Sequence, residues 1–358
     1  MSANTETLMS VSGFDQRRNK VLELIIEAYV TTASPVGSEL IARRLRSTLS
    51  SATIRNTMVQ LEEQGYLAQP HTSAGRVPTD QGYRFYVDAV MESPHLTREE
   101  LRSLAAQIMP PEPDVTQLLE RANVVLSELT QQAAFAVAPT VKQSTVKQIE
   151  LVPLSVRKIL CVLVGQEELV ASHVVEIAEP MTRDEAVALA RFLNTELAGL
   201  SFGELLQSLE RRMLAENDSF YHAVKRSLAI LQHALSTEPD ERLLLQGASY
   251  VVSQPEFSRD PRKMHELLKS LDAQTQLLER IRQDIAADGV RVRIGHEMQL
   301  PGLEECSVIT APCAIGDEPI GGIGILGPKR MPYARLRPLV EAMGQCVTDV
   351  LTSWDWGG

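Results

Sequence analysis

A chain of 358 residues is too long for one ordinary hydrophobic core and suits two or three domains. With 44% hydrophobic and 23% charged residues and no low-complexity tract, it has the composition of a soluble globular protein. A net charge of −11 excludes a protein that coats nucleic acid with its whole surface, while leaving a local basic patch open.

The first residues, Met-Ser-Ala-Asn-Thr-Glu-Thr, lack the basic start and apolar run of a secretory signal. The longest apolar run, Ile159 to Val164, is far too short to span a bilayer. A cytoplasmic location with no membrane partner is therefore expected. From Phe14 to Thr32, the residues Val21, Leu22, Ile25, Ile26 and Tyr29 recur at the spacing of one buried helix face. Ser34-Pro35-Val36-Gly37 stops that helix. Ser38 is expected to cap a second, short helix that buries Leu40, Ile41 and Leu45 and ends near the Arg46-Ser47-Thr48 turn. A third runs from Ser51 to Gln64 behind a serine cap and stops at Gly65.

Two helices joined by so short a turn make a helix-turn-helix candidate. Tyr66 to Gln69 then reads as a strand, His71 to Gly75 as a turn, and Arg76-Val77 as the returning strand, the layout of a winged helix. A helix over Thr79 to Met91 buries Tyr83, Tyr86, Val87 and Val90. Thr97-Arg98-Glu99-Glu100 forms a capping box for the next, and Pro110-Pro111-Glu112-Pro113 is the strongest domain boundary in the chain.

Beyond it comes an amphipathic helix carrying Leu118, Leu119, Ala122, Val125, Leu126 and Leu129. Val146 to Leu154, Lys158 to Val164 and Leu169 to Ile177 read as an antiparallel meander, and residues 182 to 236 as helices. Strands are expected again at Leu243 to Val252, Val290 to Ile294, Ser307 to Ala314 and Pro319 to Leu326, with helices near 261 to 287 and 333 to 352. The fold class is α+β, with a helical block inserted between two groups of strands.

Residues 41 to 84 carry six arginines against Glu62, Glu63 and Asp80, a local balance of +3. On the third helix, Ile54, Met58 and Leu61 share the buried stripe, and the opposite arc holds Ala52, Thr53, Asn56, Val59 and Gln60, with Arg55 on its flank. Asn and Gln can bond an adenine edge, Arg suits guanine or phosphate, and Ala or Thr methyls suit the thymine methyl. Ser50, Ser51 and Thr53 crowd a helix start that has no acid in its first turn, which leaves amide donors for a phosphate. The candidate DNA-binding residues are Ser51, Thr53, Arg55, Asn56, Gln60, His71 and Arg76, His71 and its neighbour Thr72 being backbone contacts that are each individually weak. Arg76 has two readings: a wing residue at the minor groove, or an ion pair with Glu62 or Asp80.

No catalytic, cofactor or metal site is expected. The cysteines, Cys161, Cys306, Cys313 and Cys346, form no C-x-x-C pair and sit in apolar segments as buried thiols. His265-Glu-Leu-Leu lacks the second histidine of a zinc motif. Gly322-Ile-Gly-Ile-Leu-Gly327 matches a dinucleotide fingerprint literally but lies in a strand followed by Pro328, not a helix. Two Ser-x-x-Lys matches, at Ser144 and Ser155, lie in strands and lack companion motifs, so an enzyme is not expected.

Pro35-Val-Gly-Ser38, Ser51-Ala-Thr-Ile-Arg-Asn56, Leu61-Glu-x-x-Gly-Tyr-Leu67, His71-Thr-Ser-Ala-Gly-Arg-Val-Pro-Thr79 and Gly82-Tyr-Arg-x-Tyr-Val-Asp88 together resemble the signature of the bacterial heat-inducible transcription repressor HrcA family. Phe192-Leu-Asn194, Gln254-Pro-Glu-Phe257 and Gly327-Pro-x-Arg-Met-x-Tyr333 extend the resemblance over nearly the whole chain. It implies an N-terminal winged helix-turn-helix domain (1–106) and a GAF-like domain in two parts (107–180 and 239–358), with an inserted, mainly helical dimerisation domain (181–238). It also implies a homodimer on double-stranded DNA at the CIRCE inverted repeat of chaperone operons, released on heat stress, with the GroEL chaperonin as a partner that keeps the repressor active. The competing reading is a transcriptional regulator whose GAF-like domain senses a metabolite.

Overall fold

The computed structural model describes residues 3–354 apart from 46–48, 72–73, 92–95, 143, 166–168, 197–199, 215–220, 238–240, 288 and 316–317. The Arg46-Ser47-Thr48 turn and Thr72 therefore lie outside the described residues. The chain begins with α1 (Ala3–Thr32), α2 (Ser38–Arg44) and α3 (Ser51–Glu63), then a two-stranded antiparallel ribbon of β1 (Leu67–Ala68) and β2 (Val77–Pro78). The first helix starts earlier than the periodicity from Phe14 indicates. α4 (Asp80–Phe85) is capped by the Thr79 hydroxyl, which accepts from the Gly82 amide at 3.0 Å, and continues into a π turn over Tyr86–Val90.

α5 (Arg98–Ile108) opens on the expected capping box: the Glu100 amide donates to Thr97 Oγ1 and the Thr97 amide to the Glu100 carboxylate. Leu104 and Ile108 turn its apolar face toward α6 (Val115–Thr130) and α14 (Tyr333–Ser353). α5 thus spans the domain limit expected at 106. The prolines at 110–113 make a corner that folds α5 back onto α6, so α5 packs with the following unit.

That unit centres on a five-stranded antiparallel sheet in the order β7 (Glu241–Gln246), β3 (Ala133–Pro139), β10 (Glu318–Pro328), β9 (Cys306–Ile315), β8 (Arg291–Ile294). Side chains alternate between its faces. Ala134, Ala136, Ile309 and Ile323 join α6 and α14, whereas Phe135, Val137 and Val308 join the core beneath α10 (Ala248–Val252), α11 (Pro255–Ser258), α12 (Pro261–Asp272) and α13 (Gln274–Ile285). The strand expected over Leu243 to Val252 is β7 followed by α10: Gly247, in the left-handed region at φ 71°, ends the extended run after six residues. β10 is followed by no helix until Tyr333, as the reading of its glycines as a strand requires.

The meander β4 (Val146–Ser155), β5 (Lys158–Gly165), β6 (Val170–Glu176) forms a separate three-stranded sheet. Its inner face (Ile149, Leu151, Ile159, Cys161, Leu163) packs against α7 (Arg183–Glu196), α8 (Phe202–Leu214) and α9 (Tyr221–Thr237) around one core. The meander, which lies before the division expected at 180/181, shares its core with the helices that follow it. Asn194 shows the reason locally: its amide brackets Ile149 of β4, accepting from the backbone N–H at 2.8 Å and donating to the carbonyl at 2.9 Å. All four cysteines are buried and unbridged, and burial pushes the Cys161 and Cys313 thiols up to about 12. Among the described residues no helix is long and apolar enough to cross a membrane.

Candidate nucleic-acid interface

α3 owes its position to the residues at its two ends. At the start, Ser50 accepts from the Thr53 amide at 3.1 Å and its hydroxyl meets the Thr53 hydroxyl at 2.8 Å. Gly37, not Ser38, occupies the cap position of α2, and the Ser38 hydroxyl instead meets Ser51 Oγ at 3.0 Å, pinning the two helices together across their turn. At the far end the Tyr66 amide bonds the Leu61 carbonyl and the Gly65 amide bonds the Glu62 carbonyl, both at 2.9 Å, with Gly65 at φ 81°. This is a Schellman termination, in which the left-handed residue is the glycine.

Between these ends Ile54, Met58 and Leu61 are buried, as their helical spacing requires. Thr57 is buried as well and returns its hydroxyl to the Thr53 carbonyl at 3.1 Å, so the buried stripe is one residue wider than its apolar members. Ala52, Arg55, Asn56 and Val59 are exposed, and Ser51, Thr53 and Gln60 lie partly exposed beside them. The structure therefore brings five of the seven expected residues together on one helix. Their roles separate: the hydroxyls of Ser51 and Thr53 are committed to Ser38 and Ser50, whereas Arg55, Asn56 and Gln60 have no side-chain hydrogen bond among the described residues. No acid occupies the first turn.

The other two candidates lie on the turn between β1 and β2. His71 is exposed there, its carbonyl accepting from the Ala74 amide at 2.8 Å. Arg76 is held differently: its backbone exchanges two hydrogen bonds of 2.9 Å with Val36, and its guanidinium lies 2.8 Å from the Glu62 carboxylate on α3. With 16% of its side chain exposed, Arg76 joins the turn to α3 and does not stand free beside it. Of its two readings the ion pair with Glu62 is the one formed. Asp80 is engaged elsewhere, with His296 and Lys329. Gly75 permits the Val36 bridge, because a Cβ there would lie 2.4 Å from the Val36 backbone. Arg43, exposed near the end of α2, adds a cation on the same module that enters the sequence reading only through the local net charge.

Against this geometry, residues 116–336 match a family model described as the HrcA protein C terminal domain. The chain is 37% identical over 339 residues to the heat-inducible transcription repressor HrcA of Moorella thermoacetica, covering 94% of this chain and 97% of that one. It is 35% identical over 337 residues to the protein of that name from Pelotomaculum thermopropionicum, with the same coverage. A crystal structure titled only as a hypothetical protein superposes with a TM-score of 0.61 at 25% identity, over 94% of this chain and 98% of the other. The chain belongs to the heat-inducible transcription repressor HrcA family.

Proposed function

We propose that this transcription repressor binds DNA by seating α3 in the major groove, as the reading helix of an N-terminal winged helix-turn-helix. The observation that carries the reading is the exposed face of α3, where Arg55, Asn56 and Gln60 stand with Ala52 and Val59 behind a capped start without acids, the acids Glu62 and Glu63 falling only in the last turn. The ribbon of β1 and β2 is the wing, and the five-stranded sheet with helices on both faces is the GAF-like domain. Residues from about 141 to 237 are the inserted domain through which two copies associate.

One feature of that insertion supports a homodimer. Val152, Leu160 and Val174 form a single cross-strand row on the outer face of the meander, and Val170, paired with Val164, lies on the same face two rows away. Val152, Val174 and Val170 are 43%, 54% and 63% exposed, and several exposed valines on one sheet face suit a protein partner. Two copies present two α3 helices to an inverted repeat, and the acidic remainder of the chain confines contact to the N-terminal modules. We extend the reading to the CIRCE repeat as operator, to release on heating, and to dependence on the GroEL chaperonin, all at work in the cytoplasm.

Selection of bound DNA from a random pool tests the central claim: a spaced inverted repeat is expected, and an unstructured or unenriched pool would overturn it. Operator occupancy after a heat step, measured with and without GroEL, tests the chaperonin dependence, and identical recovery counts against it.

A further inference from the structure

The N-terminal module is not tethered loosely to the sheet domain. α4, which is welded to α3 through the ribbon, lies against the edge of the five-stranded sheet at β8. The weld is local: Thr79 Oγ1 donates to the Gly65 carbonyl at 2.6 Å, and the Thr79 amide to the Tyr66 carbonyl at 3.1 Å. At the centre of the seam the rings of Tyr83 and Tyr333 meet at 5.9 Å. The pair lies within a buried apolar cluster that both bodies share, and apolar burial holds bodies together without fixing direction, so it is tolerant of angle.

The polar contacts around it are not. The Arg84 guanidinium grips Glu297 with two parallel bonds, Nε to Oε1 at 2.9 Å and Nη2 to Oε2 at 2.5 Å, and Nη2 also donates to the Val292 carbonyl on β8. One helical turn earlier, Asp80 accepts from the His296 amide at 3.1 Å and from Lys329 Nζ at 2.9 Å. A third point lies at the end of α1, where Arg330 donates to the Val30 carbonyl at 3.1 Å while pairing with Glu256 and Gln254. Two points on α4 and one on α1 define a plane, and a bidentate fork fixes direction as well as distance.

We infer that Arg84, Glu297 and Asp80 are positioning residues for operator spacing: they set the angle at which each module leaves the dimer and so select the separation of the two half-sites. This rests on the DNA-reading role of α3 proposed above. Two reading helices reach successive grooves only when held about 34 Å apart on one face of the duplex. A module held by apolar burial without the fork would find half-sites at more separations. A module fixed by the seam would accept one.

The test uses the full-length dimer and inverted repeats whose spacers differ in single base-pair steps over about one helical turn. The parent is expected to lose roughly tenfold or more in affinity about half a turn from its preferred spacer. Arg84→Ala, and the isosteric Glu297→Gln in case the first fails to fold, are expected to flatten that profile to within threefold while leaving affinity for a single half-site within twofold. A profile that keeps the parent's shape, whether unchanged or lowered uniformly, overturns the inference. A merely stabilising role would shift the melting temperature without flattening the profile. If the parent itself prefers no inverted repeat, the reading role of α3 fails. The seam is then judged by distances between spin labels at exposed residue 63 of the two protomers without DNA: broadening in the variants supports it, and equal width overturns it.

Discussion

Replacing Asn56 with alanine separates base reading from mere helix surface. Asn56 is exposed and has no side-chain hydrogen bond among the described residues, so its removal leaves no buried group unpaired. The folded protein is therefore expected to change by no more than about 0.5 kcal/mol, with any shift toward greater stability because alanine is the better helix former. A bidentate base contact is worth about 1–3 kcal/mol, and a symmetric dimer makes it twice, so the loss on the inverted repeat is about 2–6 kcal/mol. At about 1.4 kcal/mol per factor of ten, that is a drop from about 30-fold to about 10⁴-fold. Random DNA of equal length, bound through phosphates, is expected to lose less than about twofold. Fluorescence anisotropy titrations on both duplexes at one salt concentration read the two losses directly. Equal losses on the two, or a fall in melting temperature large enough to account for the first, would refute the base-reading role.

Arg76→Ala is expected to destabilise the module by about 1 kcal/mol through loss of the Glu62 pair, while the slope of affinity against salt stays unchanged. A flatter slope at unchanged melting temperature would place Arg76 on a phosphate after all. Val174→Glu, on the outer apolar row of the meander, is expected to abolish the proposed dimer with its secondary structure intact, as read by sedimentation and circular dichroism. A dimer of unchanged affinity would move the interface elsewhere. Acid should weaken the seam between module and sheet domain. Burial pushes the Asp80 carboxyl up from 3.8, but hydrogen bonds from His296 and Lys329 outweigh it and hold the group below that value. Glu305, facing Lys329 and Lys263, is likewise held below 4.5. Carboxylates depressed in the folded state stabilise fully above their unfolded values, and that contribution disappears as pH falls through the lower folded ones. Melting temperature should therefore decline more steeply below about pH 4 in the parent than in Asp80→Asn, and parallel curves would deny Asp80 its share.

Much of the candidate site is legible in the sequence because its signals are local. The cap at Ser50, the stripe of Ile54, Met58 and Leu61, and the stop at Gly65 are all decided within one turn of helix, and each forms as expected. Side-chain commitments are not local in that sense. Ser51 spends its hydroxyl on Ser38, thirteen residues away, and Arg76 meets Glu62 across the turn, contacts that composition allows but does not choose between.

The same contrast holds for the fold. Alternation and helical periodicity identify the three strands of the meander and the helices after them, since each pattern reflects which face of one element is dry. Which sheet the strands join is decided by distant partners such as Asn194 on Ile149, and their pairing leaves an apolar outer row that no single strand reveals. The motifs around Tyr83, Gln254 and Arg330, far apart in the chain, acquire a common purpose only where they converge. There Tyr83 meets Tyr333, and Arg330 joins Glu256 and Gln254 to the end of α1. By itself the sequence determined the capped helix α3 and the chemistry of its exposed face, because capping, periodicity and charge act over neighbouring residues. The tertiary structure alone decided how the module that carries it is held against the sheet domain, because that placement comes from forked charge contacts between segments about two hundred residues apart.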